Sequence, residues 1–321
     1  MRFGKRADSA GDSSMEGSTV GKITLGVVLV YLLICLVVGW YWSREPDLGP
    51  LVVRTDDRQM VSGEYTARTL HSLMGGLLNK PGGYLSNDVA PPGLWLDNMP
   101  SWEFGVLVQA RDMSRALRRD MARSQSQSKE DPDLAKAEPL FSTNHNRWMF
   151  PSSESEYTKG MHELESYVAR LQQGDAHFYA RADNLASWVG DVSTRLGSLS
   201  QRLSASVGRA PLIEGGELGS TTPWLEIDNI FYEARGTSWA LVHLLRAVEH
   251  DFHDVLVKKN ALISVQQVIR DLEATQETLW SPMILNGGGF GMLANHSLVM
   301  ANYLSRANAA MIDLRRLLEQ G

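Results

Sequence analysis

The chain has 321 residues, 43% of them hydrophobic and 21% charged, a balance that suits one large folded domain or two ordinary ones. Residues 1–22 hold four basic and three acidic groups, so the remaining 27 basic and 34 acidic groups leave the body near −7 of the total −6. A mildly acidic body argues against nucleic acid as a partner and against broad electrostatic binding to anionic lipid, and the single cysteine, Cys35, excludes a disulfide or a cysteine zinc site in the soluble part.

The Gly/Ser/Asp-rich leader within residues 1–22 reads as a short disordered, cytoplasmic tail. From Ile23 to Trp42 the chain reads "ITLGVVLVYLLICLVVGWYW" without a charge. That is the length of helix needed to cross a bilayer, about 20 residues, and it closes on Trp40, Tyr41 and Trp42, which favour the interface. The stretch is too long for a signal-peptide core and offers no small-x-small cleavage site. Lipidation at Cys35 is disfavoured by Ile34 before it. Arg2, Lys5, Arg6 and Lys22 precede the span, whereas Arg44 is accompanied by Glu45 and Asp47. The positive-inside rule therefore puts the N-terminus in the cytoplasm and the large C-terminal part across the membrane, in the periplasm of a bacterium.

Residues 43–56 read as a juxtamembrane linker and 57–321 as one all-α domain. Apolar residues recur at helical spacing from Val61 to Leu77, ending at "LLNKPGGYLSND". The following stretch, 80–100, holds Pro81, Gly82, Gly83, Pro91, Pro92, Gly93 and Pro100, which exclude helix and central strand. Its Tyr84, Leu85, Val89, Leu94, Trp95 and Leu96 make it an ordered, packed loop. Ser101 is the expected cap of the next helix, with Phe104, Leu107, Val108 and Leu117 facing inward. "SQSQSKEDPD" reads as a polar surface break and "LFSTNHNRWMFPSS" as an irregular aromatic stretch. Ser153 and Glu156 form a capping-box pattern that opens a helix ending at Gly174.

Phe178, Ala182, Leu185, Val189, Val192, Leu196, Leu199 and Leu203 alternate in steps of four and three, a heptad seam. An antiparallel helix pair within the chain accounts for it, with an intermolecular coiled coil in a homo-oligomer as the alternative. Thr222 and Pro223 start a further helix running through Trp224, Phe231, Trp239 and Phe252 to Val255, with a kink expected near Gly236. A shorter helix spans Leu262 to Trp280, and a last one runs from about Met292 to Leu318. Between them "ILNGGGFGMLAN" repeats the gesture of the first glycine corner. The two corners are expected close together at one end of a helical bundle, with Asn79 and Asn286 capping their helices.

Reactive constellations are few. In "VEHDFHD", His250, His253 and Asp254 share helical spacing suited to a metal, although the surrounding charges also fit a solvated face. "HELES" at His162 lacks the second histidine of a zinc-protease helix. "NGGGFG" lacks the Walker lysine and a preceding strand. No serine lies in G-x-S-x-G. No cofactor is implied. The candidate ligand- or partner-binding residues are Tyr84, Asn87, Asp88, Trp95 and Asp97 in the first loop, His145 and Arg147 in the second, and Phe290, Asn295 and His296 at the second glycine corner.

One N-terminal span together with "NKPGGYLSND", "GLWLDNMPSWEFG" and "NGGGFGMLANHSL" resembles a proteobacterial family of inner-membrane proteins, numbered twenty-three thirty-three among domains of unknown function. The resemblance implies a Gram-negative envelope and a single-domain ectodomain. It implies no activity and brings no catalytic residues. The resulting expectation is a non-enzymatic, single-pass inner-membrane protein, held in the lipid bilayer through residues 23–42, whose periplasmic helices bind an envelope protein or cell-wall partner. The alternatives are a periplasmic hydrolase using the 250–254 metal set, and a carrier of lipid or another hydrophobic ligand between helices.

Overall fold

The computed structural model describes residues 13–52, 60–125, 128–205, 226–279, 284 and 296–320. Among them every regular element is helical and no strand occurs. Helix α1, Ser13–Trp42, contains the apolar run, and Gly21–Trp42 is long and apolar enough to cross a membrane. The helix begins within the leader that the composition assigns to a disordered tail. Most of its apolar side chains are exposed, but Cys35 and Gly39, one turn apart, are buried.

The segment after α1 is tied down rather than free. Helix α7, Ile227–Asp251, presents Arg235, Trp239 and Arg246 to it. The Arg235 guanidinium bonds both carboxylate oxygens of Glu45 at 2.8–3.0 Å and donates to the carbonyls of Thr275 and Glu277 at 2.9 and 3.0 Å. Trp239 Nε1 donates to the Asp47 carbonyl at 3.2 Å, and Arg246 to that of Leu48 at 3.2 Å. Residues 45–48 are thus part of the fold, which a count of prolines and glycines could not show. The first helix of the body, α2 (Glu64–Asn79), buries Leu70, Leu73, Met74 and Leu77 completely. Its N-terminus is capped from a distance: Asp251 Oδ2 accepts from the Thr66 N–H and hydroxyl at 2.8 and 2.7 Å.

Helix α3, Asn98–Ala116, continues into a π-helical turn, Leu117–Met121. It starts before the expected cap: Ser101 lies in its first turn and donates back to the Asp97 carbonyl at 2.9 Å. Helices α3 and α7 cross through two glycines. A Cβ at Gly105 would collide with the Glu233 carbonyl and sit 2.7 Å from the Thr237 nitrogen; one at Gly236 would strike the Trp102 backbone. Gly236, where a kink is expected from sequence, marks a close crossing within one continuous helix. Trp102 and Trp239 meet beside this crossing at 5.2 Å between centroids.

Helix α4, Pro132–Phe141, lies in a region where the polar run suggested only a break. Asp131 caps it, accepting from the amides of Asp133 and Leu134 at 3.0 and 3.3 Å, with Pro132 in the first turn. Helix α5, Ser153–Gln173, is capped by Ser152, one residue earlier than expected, and ends at Gly174 with φ of 83°. Ser153 is otherwise engaged: its hydroxyl donates to the Asn144 carbonyl at 2.8 Å and accepts from the Arg147 N–H at 3.1 Å.

The heptad helix α6, Ala182–Ala205, and the last helix α10, His296–Glu319, pack antiparallel. Gly190 faces Arg315, Ser193 donates to Asn308 at 2.9 Å, and Ser200 donates to the Ala301 carbonyl at 3.1 Å. The matching seam on α10 is Met300, Leu304, Ala307, Met311, Leu314 and Leu318, all buried. The seam thus closes within one chain. Helix α7 stops at Asp251, and the short α8 (His253–Lys258) and α9 (Leu262–Glu273) follow, the latter ending in a 3₁₀ turn, Ala274–Gln276.

Candidate functional site

The first glycine corner is built around a buried carboxylate. Met99, Glu103, Val106, Ala110 and Met113 follow one another in steps of four and three along α3, so Glu103 occupies a core position. Its oxygens accept from the Leu85 N–H at 2.9 Å, the Ser86 N–H at 2.8 Å and the Ser86 hydroxyl at 2.5 Å. Lys80 Nζ lies 2.5 Å from Oε1, and both side chains are at most 1% exposed. Lys80 also donates to the Gly83 carbonyl at 2.5 Å. Burial is the largest influence on Glu103 and pushes its carboxyl above the usual range, against the opposing pull of Lys80, Ser86 and the Leu85 amide. The corner "KPGGYLS" is therefore a loop wrapped on one acid, with Gly82 and Gly83 at φ of 86° and 71° making the turn.

Tyr84 then points into the core, 4% exposed. Its ring meets Tyr157 edge-on at 5.6 Å, and its hydroxyl donates to the His145 carbonyl at 2.9 Å. Burial drives its phenol far above the ordinary value. Asn87 donates to the Arg147 carbonyl at 2.9 Å and to Glu154 at 2.8 Å. Arg111 secures the far side of the second loop, donating to the carbonyls of Phe141 and Thr143 at 2.7 and 2.5 Å. The structure thus brings Tyr84, Asn87, His145 and Arg147 together, as the junction of two loops.

Beside this junction opens a cleft of about 750 Å³. It is lined by Ser86, His145 and Asn146 from the two loops, by Ser101 and Phe104 of α3, and by Arg202, Asn229 and Glu233. Phe104 and His145 pack at 5.0 Å. Burial, then the charge of Arg111, lowers the His145 pKa, so its imidazole is neutral at neutral pH. Arg202 bonds both oxygens of Glu233 at 2.8 and 2.7 Å, which raises the guanidinium pKa further. Both serine hydroxyls are committed, Ser86 to Glu103 and Ser101 to the Asp97 carbonyl. What the cleft offers is hydrogen bonding through amides, an imidazole and an ion pair around one aromatic face.

The other candidates lie elsewhere. Trp95 is 54% exposed and Asp97 exposed, while Asp88 is half-buried with its carboxyl pKa raised by burial and by Glu154. His296 packs edge-on to Phe231 at 6.3 Å. Phe290, Asn295 and Asn286 lie outside the described residues, so only half of the expected meeting of corners is visible. Asn79 does fold onto its own helix end, donating to the Gly75 carbonyl at 2.8 Å. Of the metal candidates, His250 stacks on Tyr65 at 4.8 Å and ends α7, whereas His253 and Asp254 begin α8 beyond the break at Phe252. Among the described residues no group of three His, Cys, Asp or Glu could hold a metal ion. Glu103, Lys80, Asn229 and Arg202 were not singled out from sequence. The signal for Glu103 was available, a lone acid at a core position of α3, but its partners are long-range.

Comparison with curated proteins and with solved structures finds no match. The family described as "Uncharacterized protein conserved in bacteria (DUF2333)" matches residues 15–321, nearly the whole chain, and the protein belongs to that family.

Proposed function

We propose that this protein is a single-pass inner-membrane anchor whose C-terminal helical domain lies in the periplasm and binds a polar segment of an envelope protein or of the cell wall, without catalysing a reaction. The observation that carries the reading is the cleft bounded by Ser86, Phe104, His145, Asn146, Asn229 and the Arg202–Glu233 pair. Its hydroxyls are already donating to local acceptors, Ser86 to the buried Glu103 carboxylate that holds the glycine corner and Ser101 to the Asp97 carbonyl, which supports binding rather than reaction. An aromatic face ringed by amides and a charge pair suits a chain of alternating apolar and hydrogen-bonding groups, as in a peptide or a saccharide. The charge asymmetry across residues 23–42 supports the orientation.

Two measurements test this. A C-terminal alkaline phosphatase fusion is expected to be active and a C-terminal green-fluorescent fusion dark; the reverse pattern overturns the periplasmic placement. In-cell photocrosslinking from Asn146 and Asn229 is expected to trap one shared envelope partner, and Asn229→Trp with an intact fold to abolish the product from position 146. Crosslinks confined to the protein's own chain overturn the binding reading.

A further inference from the structure

Beyond the apolar helix, the described residues expose a set of large apolar side chains on two neighbouring loops. Val89, Leu94 and Trp95 are 57, 58 and 54% exposed; Trp148, Met149 and Phe150 are 57, 60 and 100% exposed. No other tryptophan of the described body is exposed. Six such residues on two ordered loops are not the scattered single exposures that any surface carries.

The contacts show that the two loops are continuous with each other and with the end of α1. Asn87, two residues before Val89, donates to the carbonyl of Arg147, the residue before Trp148. Gly93, next to Leu94, packs so closely on Asp88 that a Cβ there would overlap its side chain. Pro92 and Leu96 flank the same turn and lie 3.6 and 3.7 Å from the Cβ position of Gly39, within the last turn of the apolar helix. Trp42 sits against Gly82. The loops are therefore held at the level where α1 carries Trp40 and Tyr41, with the Arg44 guanidinium 4.2 Å over the Trp40 ring. Aromatic residues with an adjoining arginine at the end of a span are what the headgroup boundary of a bilayer accommodates. Exposed Arg147 directly precedes Trp148 in the sequence.

We infer that loops 88–96 and 147–151 form a second membrane contact: they insert Leu94, Trp95, Trp148 and Phe150 into the headgroup–acyl boundary of the phospholipid bilayer around the protein's own span. The inference rests on α1 being a true span. Together with the Glu45–Arg235 tie it fixes the tilt of the domain on the membrane, so the cleft beside Ser86 and Asn146 opens next to the bilayer surface. The insertion is apolar and interfacial, and it agrees with the net acidic charge of the body.

The test uses the full chain in phospholipid nanodiscs with Cys35→Ala as background and a nitroxide on single cysteines introduced by Leu94→Cys, Phe150→Cys, Val30→Cys and Ile263→Cys. Val30 reports the span, and Ile263, 74% exposed on α9, reports an aqueous position. Labels at 94 and 150 are expected to show an oxygen-to-nickel-chelate accessibility ratio several-fold above that at 263 and approaching that at 30. A ratio at 94 and 150 equal to that at 263, with 30 lipid-exposed, overturns this inference and leaves the anchor intact. An aqueous ratio at 30 overturns the span itself. Low access to both reagents at 94 and 150 shows a protein cover, a second copy or a partner, and also overturns it. Trp95→Cys and Met149→Cys carry the same comparison if either first variant loses its helical circular dichroism.

Discussion

Lys80 and Glu103 face each other across 2.5 Å with neither side chain reaching solvent. The pair joins the glycine corner to α3 and, through Leu85 and Ser86, sets the path of the loop that reaches the cleft. A buried ion pair is a poor source of net stability but an effective lock, because each charge is costly without the other.

Breaking this lock from one side is expected to destabilise strongly. Lys80→Met leaves Glu103 buried without its cation, and Glu103→Gln leaves the Lys80 ammonium unpaired; each should cost about 3–5 kcal/mol. Denaturant unfolding of both singles and the double variant checks the coupling: the double should lose clearly less than the two singles combined. Additive losses would mean that the two groups act separately.

The crossing of α3 and α7 predicts a sign reversal. On an exposed helix Gly→Ala normally gains about 1 kcal/mol. At Gly105 and Gly236 the added methyl meets backbone atoms of the facing helix, so Gly105→Ala and Gly236→Ala should each lose about 2–3 kcal/mol through forced separation of the helices. Thermal unfolding with Gly174→Ala as a third variant is informative, since space there is open but φ is 83°. That variant isolates backbone strain from collision.

Arg235 binds the anchor to the body through Glu45 and two carbonyls. Arg235→Ala should cost about 3–5 kcal/mol by stranding those acceptors. It should also release 43–52, read as faster proteolysis in that segment and a broader distance distribution between labels on α1 and α5. Glu45→Gln retains a hydrogen-bonding side chain and should show a smaller effect.

A pH dependence follows from His243. Burial, then the charge of Arg246, lowers its pKa from 6.5 to about 4, and its Nε2 has no hydrogen-bond partner among the described residues. Between these values the unfolded chain binds a proton that the folded chain does not. Stability is therefore whole above pH 6.5 and falls as pH drops toward about 4, by roughly 3 kcal/mol in total from this group. His243→Phe, which keeps the edge-on packing against Trp239 seen at 4.7 Å, should flatten the urea midpoint over that interval. An unchanged slope would place the acid sensitivity elsewhere.

The sequence by itself determined the local properties: an apolar helix long enough to span a bilayer, an all-helical body, and the heptad seam of α6, although its partner α10 came only from the structure. These follow from periodicity and length, which are written over consecutive residues. Short-range caps were legible only to within a residue, because Ser152 and Ser153 are chemically alike and only loop packing tells them apart. Only the tertiary structure decided that Glu103 is the hub of the glycine corner, that Gly236 is a crossing, that residues 45–48 are docked and that Asp251 caps α2. Each of these depends on a partner far away in sequence, and the loop-closure entropy and packing that select the partner leave no local pattern. The cleft is of the same kind: its walls come from five separate stretches, and no one of them announces it.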